Sequence, residues 1–302
     1  MDKTTIAFIG LGAMGSHSAR LLAKAGFRVQ GFDVRQEALD ALSKVGGHAC
    51  PSAAEAARGA TRAVLFVVNG KQAEQVLFGP GGVGESAAEG MTILSCVTMS
   101  PDEASALGKR CRERGWRFID SPVSGGTVGA GSGTLTIMAA GEAQAIEDCR
   151  PIYETIGKRF MVVGSEPGQG AMVKTINQLL CGVHLAAAGE AMAMARRAGL
   201  DLQAVWDVVN FSAAGSWMLN DRGPRMVAQS FETPTSAVDI FVKDLGIVAD
   251  VARSLRFPAP LAATALQSFL GSSGAGNGRK DDAAVMLYYE GFSPGATPAK
   301  AS

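Results

Sequence analysis

The chain has 302 residues, enough for about two domains. Its 28 Lys and Arg balance 28 Asp and Glu, and the zero formal charge excludes the basic footprint of a general nucleic-acid binder. Apolar residues make up 47% and aromatics 6%, while glycine stands out at 38 residues, about 13% against an average near 7%. A chain of this size buries a core without staples. The five cysteines, Cys50, Cys96, Cys111, Cys149 and Cys181, are scattered with no Cys-x-x-Cys pair, and read as reduced thiols of a cytoplasmic protein. Only His17, His48 and His184 remain as soft ligands, so no metal site is expected. No apolar run approaches the ~18–20 residues of a bilayer span. The run Ile6–Ile9 ends at Gly10, too short for a signal-peptide core, so no membrane partner is expected.

In chain order, Thr4–Ile9 reads as a buried strand, Ala13–Ala25 as a helix and Arg28–Phe32 as a second strand. A helical stretch follows near Gln36–Val45, then strand candidates at Ala63–Val68 and Met91–Leu94. Pro101–Arg114 is helical, and Phe118–Ile119 leads into Asp120-Ser-Pro. Leu135–Ala139 and Phe160–Val163 flank a helical pattern around Glu142–Ile156 and would join the same sheet. Strands alternating with helices predict an α/β, doubly wound parallel sheet. After about Gly164 the pattern changes. Gly168–Gly199 has no proline and many Ala, Met and Leu, which predicts one unusually long helix. Asp201–Phe211, Ser236–Leu255, Pro258–Leu270 and Asp281–Tyr289 are also helical, with Gly271–Gly278 as a turn. The expected organisation is a Rossmann-type domain over 1–165, an all-α domain over 166–292 and a disordered tail over 293–302.

Gly10-Leu-Gly-Ala-Met-Gly15 follows the first strand and opens the first helix. Gly10 allows the tight turn, Gly12 a close approach of backbone to pyrophosphate, and Gly15 close helix–strand packing. The helix N-terminus favours the anion. Asp33 ends the second strand, where a carboxylate accepts from both ribose hydroxyls and repels a 2′-phosphate; this favours NAD over NADP, with Arg35 as a competing signal. A second cluster, Asp120-Ser-Pro-Val-Ser-Gly-Gly-Thr127 with Gly129, Gly131 and Gly133, suits an anion nest for a carboxylate, or else a mobile loop. Lys174, Asn177 and Gln178 share one face of the long helix among apolar neighbours. A buried lysine sheds its proton readily, which suits proton transfer; a snorkelling lysine is the structural alternative. Asp239, Lys243 and Asp244 could pair along a later helix as an ordinary salt bridge. Ser212–Ser216 reads as a helix–helix turn.

Four motifs in one order resemble the β-hydroxyacid dehydrogenases, the family of 3-hydroxyisobutyrate dehydrogenase and tartronate semialdehyde reductase. They are Phe8-Ile-Gly-Leu-Gly-Ala-Met-Gly15, Asp120-Ser-Pro-Val-Ser-Gly-Gly126, Gly170-x-x-x-Lys174-x-x-Asn177-Gln178 and Lys243-Asp244-Leu245, and the likeness runs from about Thr4 to Phe292. The resemblance implies a Rossmann domain followed by a helical domain, with the active site in the cleft. It implies that Lys174 is the catalytic acid/base. It places Ser124, Gly125 and Gly126 on the substrate carboxylate, with Asn177, Gln178, Lys243 and Asp244 also on the substrate side. It implies cofactor contacts from Gly10, Leu11, Gly12, Ala13, Met14, Gly15, Asp33, Asn69, Thr98 and Lys243. A homodimer or homotetramer formed through the helical domain is also implied.

Some positions depart from the family pattern. Val67-Val68-Asn69 stands where Leu-Pro-Asn or Leu-Pro-Asp is common, and Ser18 and Leu21 replace Met and Asn in the first helix. Val-Val-Asn followed by Gly-Lys-Gln and Val76-Leu-Phe-Gly79 looks like the L-threonate dehydrogenase branch, which oxidises a four-carbon sugar acid at C2 with NAD. The expected function is hydride transfer between a small hydroxy acid and NAD, with 3-hydroxyisobutyrate or tartronate semialdehyde as alternative substrates. An imine reductase or a non-enzymatic NAD-binding regulatory protein would lack the lysine, so Lys174 counts against both.

Overall fold

The computed structural model describes residues 4–291, and the tail expected to be disordered lies outside them. The chain divides into two compact units, Met1–Thr175 and Ile176–Ser302.

The first unit begins with β1 (Thr5–Ile9), α1 (Gly15–Lys24), β2 (Arg28–Phe32), α2 (Gln36–Ser43), β3 (His48–Ala49), α3 (Ala53–Ala57), β4 (Arg62–Leu65) and α4 (Gly70–Phe78). It continues with β5 (Thr92–Ser95), α5 (Pro101–Glu113), β6 (Arg117–Asp120), β7 (Val123–Ser124), α6 (Gly126–Ser132), β8 (Leu135–Ala140), α7 (Ala143–Asp148), α8 (Arg150–Ile156) and β9 (Gly157–Gly164). The strands form one sheet in the order β3-β2-β1-β4-β5-β6-β8-β7, with β9 paired to β8. Strands β1 to β6 run parallel. Strand β8 is antiparallel to β6 and β7.

The sheet is covered on both faces, which explains apolar runs that do not alternate. Along β1, Ile6 and Phe8 enter one core cluster, and Ala7 and Ile9 enter the other. Leu94 and Ile93 of β5 divide in the same way. Short elements escaped the sequence reading: β3, α3 and α4 lie in stretches without a long periodic pattern. The stretch Glu142–Ile156 is two helices broken at Cys149, ahead of Pro151.

The helix α9 (Gln169–Arg197) runs 29 residues without a break, as its composition predicted. By length and composition it is also long and apolar enough to cross a membrane, which corrects the expectation that nothing approaches a span. Half of that apolar window is buried inside the protein. The second unit then holds α10 (Leu202–Asn210), α11 (Trp217–Ala228), α12 (Val238–Ser254), α13 (Pro260–Ser272) and α14 (Val285–Glu290). Its core joins Leu185 and Met192 of α9 to Met218, Phe241, Phe269 and Val285. The predicted turn at Gly271–Gly278 starts later, because α13 persists to Ser272 and the chain reverses at Gly276 with φ +90°. Helix α11 was missed because Gly223-Pro224 reads as a breaker. Gly223 is needed there, since a Cβ would lie 2.1 Å from Trp206 Nε1 on α10. Arg222 of α11 then makes a two-point pair with buried Asp282, at 2.6 and 3.0 Å.

Candidate functional site

The parallel register aligns the carboxyl ends of five strands. Ile9 pairs with Phe32 and Leu65, Leu65 with Ser95, and Ser95 with Asp120. The connections that follow therefore leave one edge of the sheet, and they carry Gly10–Gly15, Asp33, Asn69 and Thr98. The order of strands reverses between β1 and β4, the point where open α/β sheets take their ligands.

Three glycines of the first turn serve three purposes. Gly10 has φ +96°, and a Cβ there would meet Phe66 O at 2.6 Å. At Gly15 a Cβ would lie 2.0 Å from Gly10 O and 3.0 Å from Phe66 Cβ. At Gly12 a Cβ would meet nothing within 4 Å. Folding therefore requires glycine at 10 and 15 but not at 12, where the open space fits the approach of a pyrophosphate. Helix α1 starts at Gly15 without a side-chain cap or an acidic residue in its first turn, so its positive end is not neutralised locally.

Asp33 follows β2. Its carboxylate accepts from Leu11 N at 2.7 Å, Arg35 N at 2.9 Å and Arg35 Nε at 3.1 Å. Arg35 also donates to Leu11 O at 3.0 Å. Burial raises the Asp33 pKa, but the hydrogen bonds from Arg35 and from Leu11 outweigh it and hold the carboxyl below its ordinary range. The two competing specificity signals thus form one ion pair against the glycine turn.

Asn69 caps α4, with its side chain accepting from Gln72 N at 2.9 Å. Thr98 is half-buried between β5 and α5. Ser124 ends β7, and Gly125 and Gly126 follow with φ +127° and +62°, a conformation that excludes most side chains. The stretch after them is a helix, α6, not a loop, and Gly133 ends it in the left-handed conformation. Its glycines permit close packing: a Cβ at Gly129 would lie 3.3 Å from Leu135, and one at Gly131 would lie 3.6 Å from the His17 ring.

Asp120, at the end of β6, is fully buried. Its Oδ2 accepts from Gly168 N at 2.9 Å and Ala171 N at 2.7 Å, which caps the first turn of α9. Burial pushes its carboxyl up to about 6 against these opposing hydrogen bonds. Gly170 is required by the same contact, because a Cβ would strike Asp120 O at 2.5 Å and Met138 O at 2.7 Å. Lys174 lies one turn further on and is buried at 6% exposure. Asp120 has no role predictable from its motif alone; a carboxylate at a strand end and a glycine opening the next helix are its signals in the sequence.

In the second unit, Gln178 and Asp244 are buried. Gln178 Nε2 donates to Asp244 Oδ2 and Gln178 Oε1 accepts from Asn177 Nδ2 at 2.8 Å. Lys243 Nζ pairs with Asp244 Oδ1 at 2.6 Å, whereas Asp239 accepts from Ser273 Oγ instead. All five cysteines are free thiols, and burial pushes Cys96 and Cys111 up to about 12, which leaves them poor nucleophiles.

Residues 5–164 match the family described as the NAD binding domain of 6-phosphogluconate dehydrogenase, and residues 168–289 match the NAD-binding domain of NADP-dependent 3-hydroxyisobutyrate dehydrogenase. An L-threonate dehydrogenase of Cupriavidus necator is 44% identical over 95% of this chain and 96% of its own length. One from Escherichia coli is 42% identical over 96% of this chain and 97% of its own. A crystal structure of 3-hydroxyisobutyrate dehydrogenase from Salmonella typhimurium superposes with a TM-score of 0.90 at 41% identity, over 94% of this chain and 99% of that one.

Proposed function

This chain belongs to the 3-hydroxyisobutyrate dehydrogenase-like family of NAD-dependent hydroxyacid oxidoreductases, and from that premise we propose that it oxidises L-threonate at C2 with Lys174 as the acid/base. NAD is held by the Gly10–Gly15 turn, Asp33, Asn69, Thr98 and Lys243, and supplies the hydride acceptor when bound. Ser124 and the backbone N–H groups of Gly125 and Gly126 hold the substrate carboxylate. The positive φ at both glycines supports this, since it keeps side chains away from the backbone that an anion would approach. Lys174, as a neutral amine, takes the proton of the substrate hydroxyl. Asn177, with Gln178, Lys243 and Asp244 behind it, orients the substrate.

The single observation that carries the proton-transfer role is the burial of Lys174 one turn after a helix start fixed by Asp120. A lysine held this way suits acid/base work better than surface solvation. The choice of L-threonate is supported by the full-length likeness to enzymes of that name. The Salmonella structure favours 3-hydroxyisobutyrate as a second reading. In this reading 1–165 is the cofactor domain, 166–292 the substrate and oligomerisation domain, and the protein a cytoplasmic homodimer or homotetramer. Initial rates of NAD reduction with L-threonate, D-erythronate, D-glycerate, 3-hydroxyisobutyrate, tartronate semialdehyde (as reverse reaction) and L-serine test the substrate. L-Threonate should have the highest kcat/KM; a higher value for 3-hydroxyisobutyrate replaces it.

A further inference from the structure

The second unit carries a directional chain of hydrogen bonds. Asp244 of α12 is 3% exposed and Gln178 of α9 is 8% exposed. A carboxylate only accepts hydrogen bonds, so the amide facing Asp244 must present its NH2 group. Gln178 Nε2 does so, and its Oε1 is left facing Asn177. Asn177 must in turn present its own NH2, and Nδ2 donates to Gln178 Oε1 at 2.8 Å and to Cys181 Sγ at 3.4 Å. The remaining polar atom of Asn177 is therefore its carbonyl oxygen. Without an anchor, an amide offers either end; here one negative charge two residues away removes the choice. Asparagine at 178 would be one methylene too short to span the same gap.

We propose that Asp244 is a positioning residue that acts through Gln178 to hold Asn177 with its carbonyl oxygen presented as an acceptor for a substrate hydroxyl. An acceptor at that point distinguishes an alcohol from its oxidised carbonyl, which cannot donate. A site built to bond a hydroxyl rejects partners that leave it unmet. The inference rests on the hydroxyacid reading for its donor, but the polarity of the chain does not.

Two readouts test it on the full-length protein. In the first, the side-chain amide signals of Asn177 and Gln178 are followed by 15N NMR, assigned with Asn177→Asp and Gln178→Met. Isosteric Asp244→Asn should displace both pairs, and Gln178→Met should displace that of Asn177. In the second, kcat on the best hydroxy acid of the panel should fall at least about tenfold in both Asp244→Asn and Gln178→Met, with the KM for NAD unchanged in Gln178→Met, which leaves the Lys243–Asp244 pair in place. Asp244→Glu, which keeps an acceptor-only group, should recover part of the loss. Unmoved Asn177 signals in Asp244→Asn overturn the proposal. So does wild-type kcat in Gln178→Met beside a loss in Asp244→Asn, which would make Asp244 act through Lys243. If the wild type turns over no hydroxy acid, the functional reading fails, while the NMR comparison still decides the polarity of the chain.

Discussion

Asp120 Oδ2 accepts the backbone N–H of Ala171 at 2.7 Å, so a carboxylate at the end of a strand holds the start of the helix that bears Lys174. Gly168 N, at 2.9 Å, is the second donor. Asp120→Ala strips both donors of their acceptor, and leaving buried N–H groups unmet should cost about 1–3 kcal/mol in a denaturant titration. Asp120→Asn keeps one accepting oxygen and should lose less. Equal stability of the Ala variant and the wild type would contradict the capping role.

The same carboxylate predicts a pH dependence. Burial raises Asp120 from 3.8 to about 6 in the folded protein, so between these values the folded state binds the proton more tightly than the unfolded chain. This contribution is therefore fully present below about pH 4, is lost as pH rises through 6, and amounts to about 3 kcal/mol by linkage. The stability of the wild type minus that of Asp120→Asn should fall between about pH 4 and about pH 6 and level off above that. A flat difference would show that Asp120 titrates normally.

The glycine turn separates folding from binding. Gly15→Ala places a Cβ 2.0 Å from Gly10 O and should destabilise the fold by about 1–3 kcal/mol. Gly12→Ala meets nothing within 4 Å and should leave stability within about 0.5 kcal/mol while weakening NAD binding. Paired thermal melts and NAD titrations check this; unaffected NAD binding in Gly12→Ala would exclude the proposed approach of the pyrophosphate.

Asp33 and Arg35 form one ion pair beside the glycine turn, and the cofactor preference is expected to follow from it. With Asp33 intact, Arg35 is engaged by its carboxylate and by Leu11 O. Asp33→Ala should lower kcat/KM for NAD by about tenfold, the size of a lost charge-assisted hydrogen bond, and release Arg35 toward a 2′-phosphate. The ratio of NADP to NAD efficiency should rise. A wild type that prefers NADP would overturn the role given to Asp33.

Much of this was legible in the sequence. The β1–Gly10–α1–Asp33 series was readable because each step has a local signature: an apolar run, spaced glycines, a carboxylate at a strand end. The long α9 was readable from its composition. What was not legible depends on contacts between distant residues. Helix α11 was not among the predicted elements, and the residue that its Gly223 accommodates, Trp206, lies on another helix. Gly129 and Gly131 looked like loop residues because the groups they accommodate, Leu135 and His17, lie on other elements. Gln178 and Asp244 were both picked out, but their bond spans 66 positions and no spacing rule joins them.

Lys174 is proposed to move the proton in the oxidation of L-threonate. The most direct measurement is kcat of Lys174→Ala for NAD reduction at saturating L-threonate, in protein shown to bind NAD normally. A fall of about 10²–10⁴ relative to wild type is expected, the usual contribution of an acid/base group. Turnover near that of the wild type would contradict it.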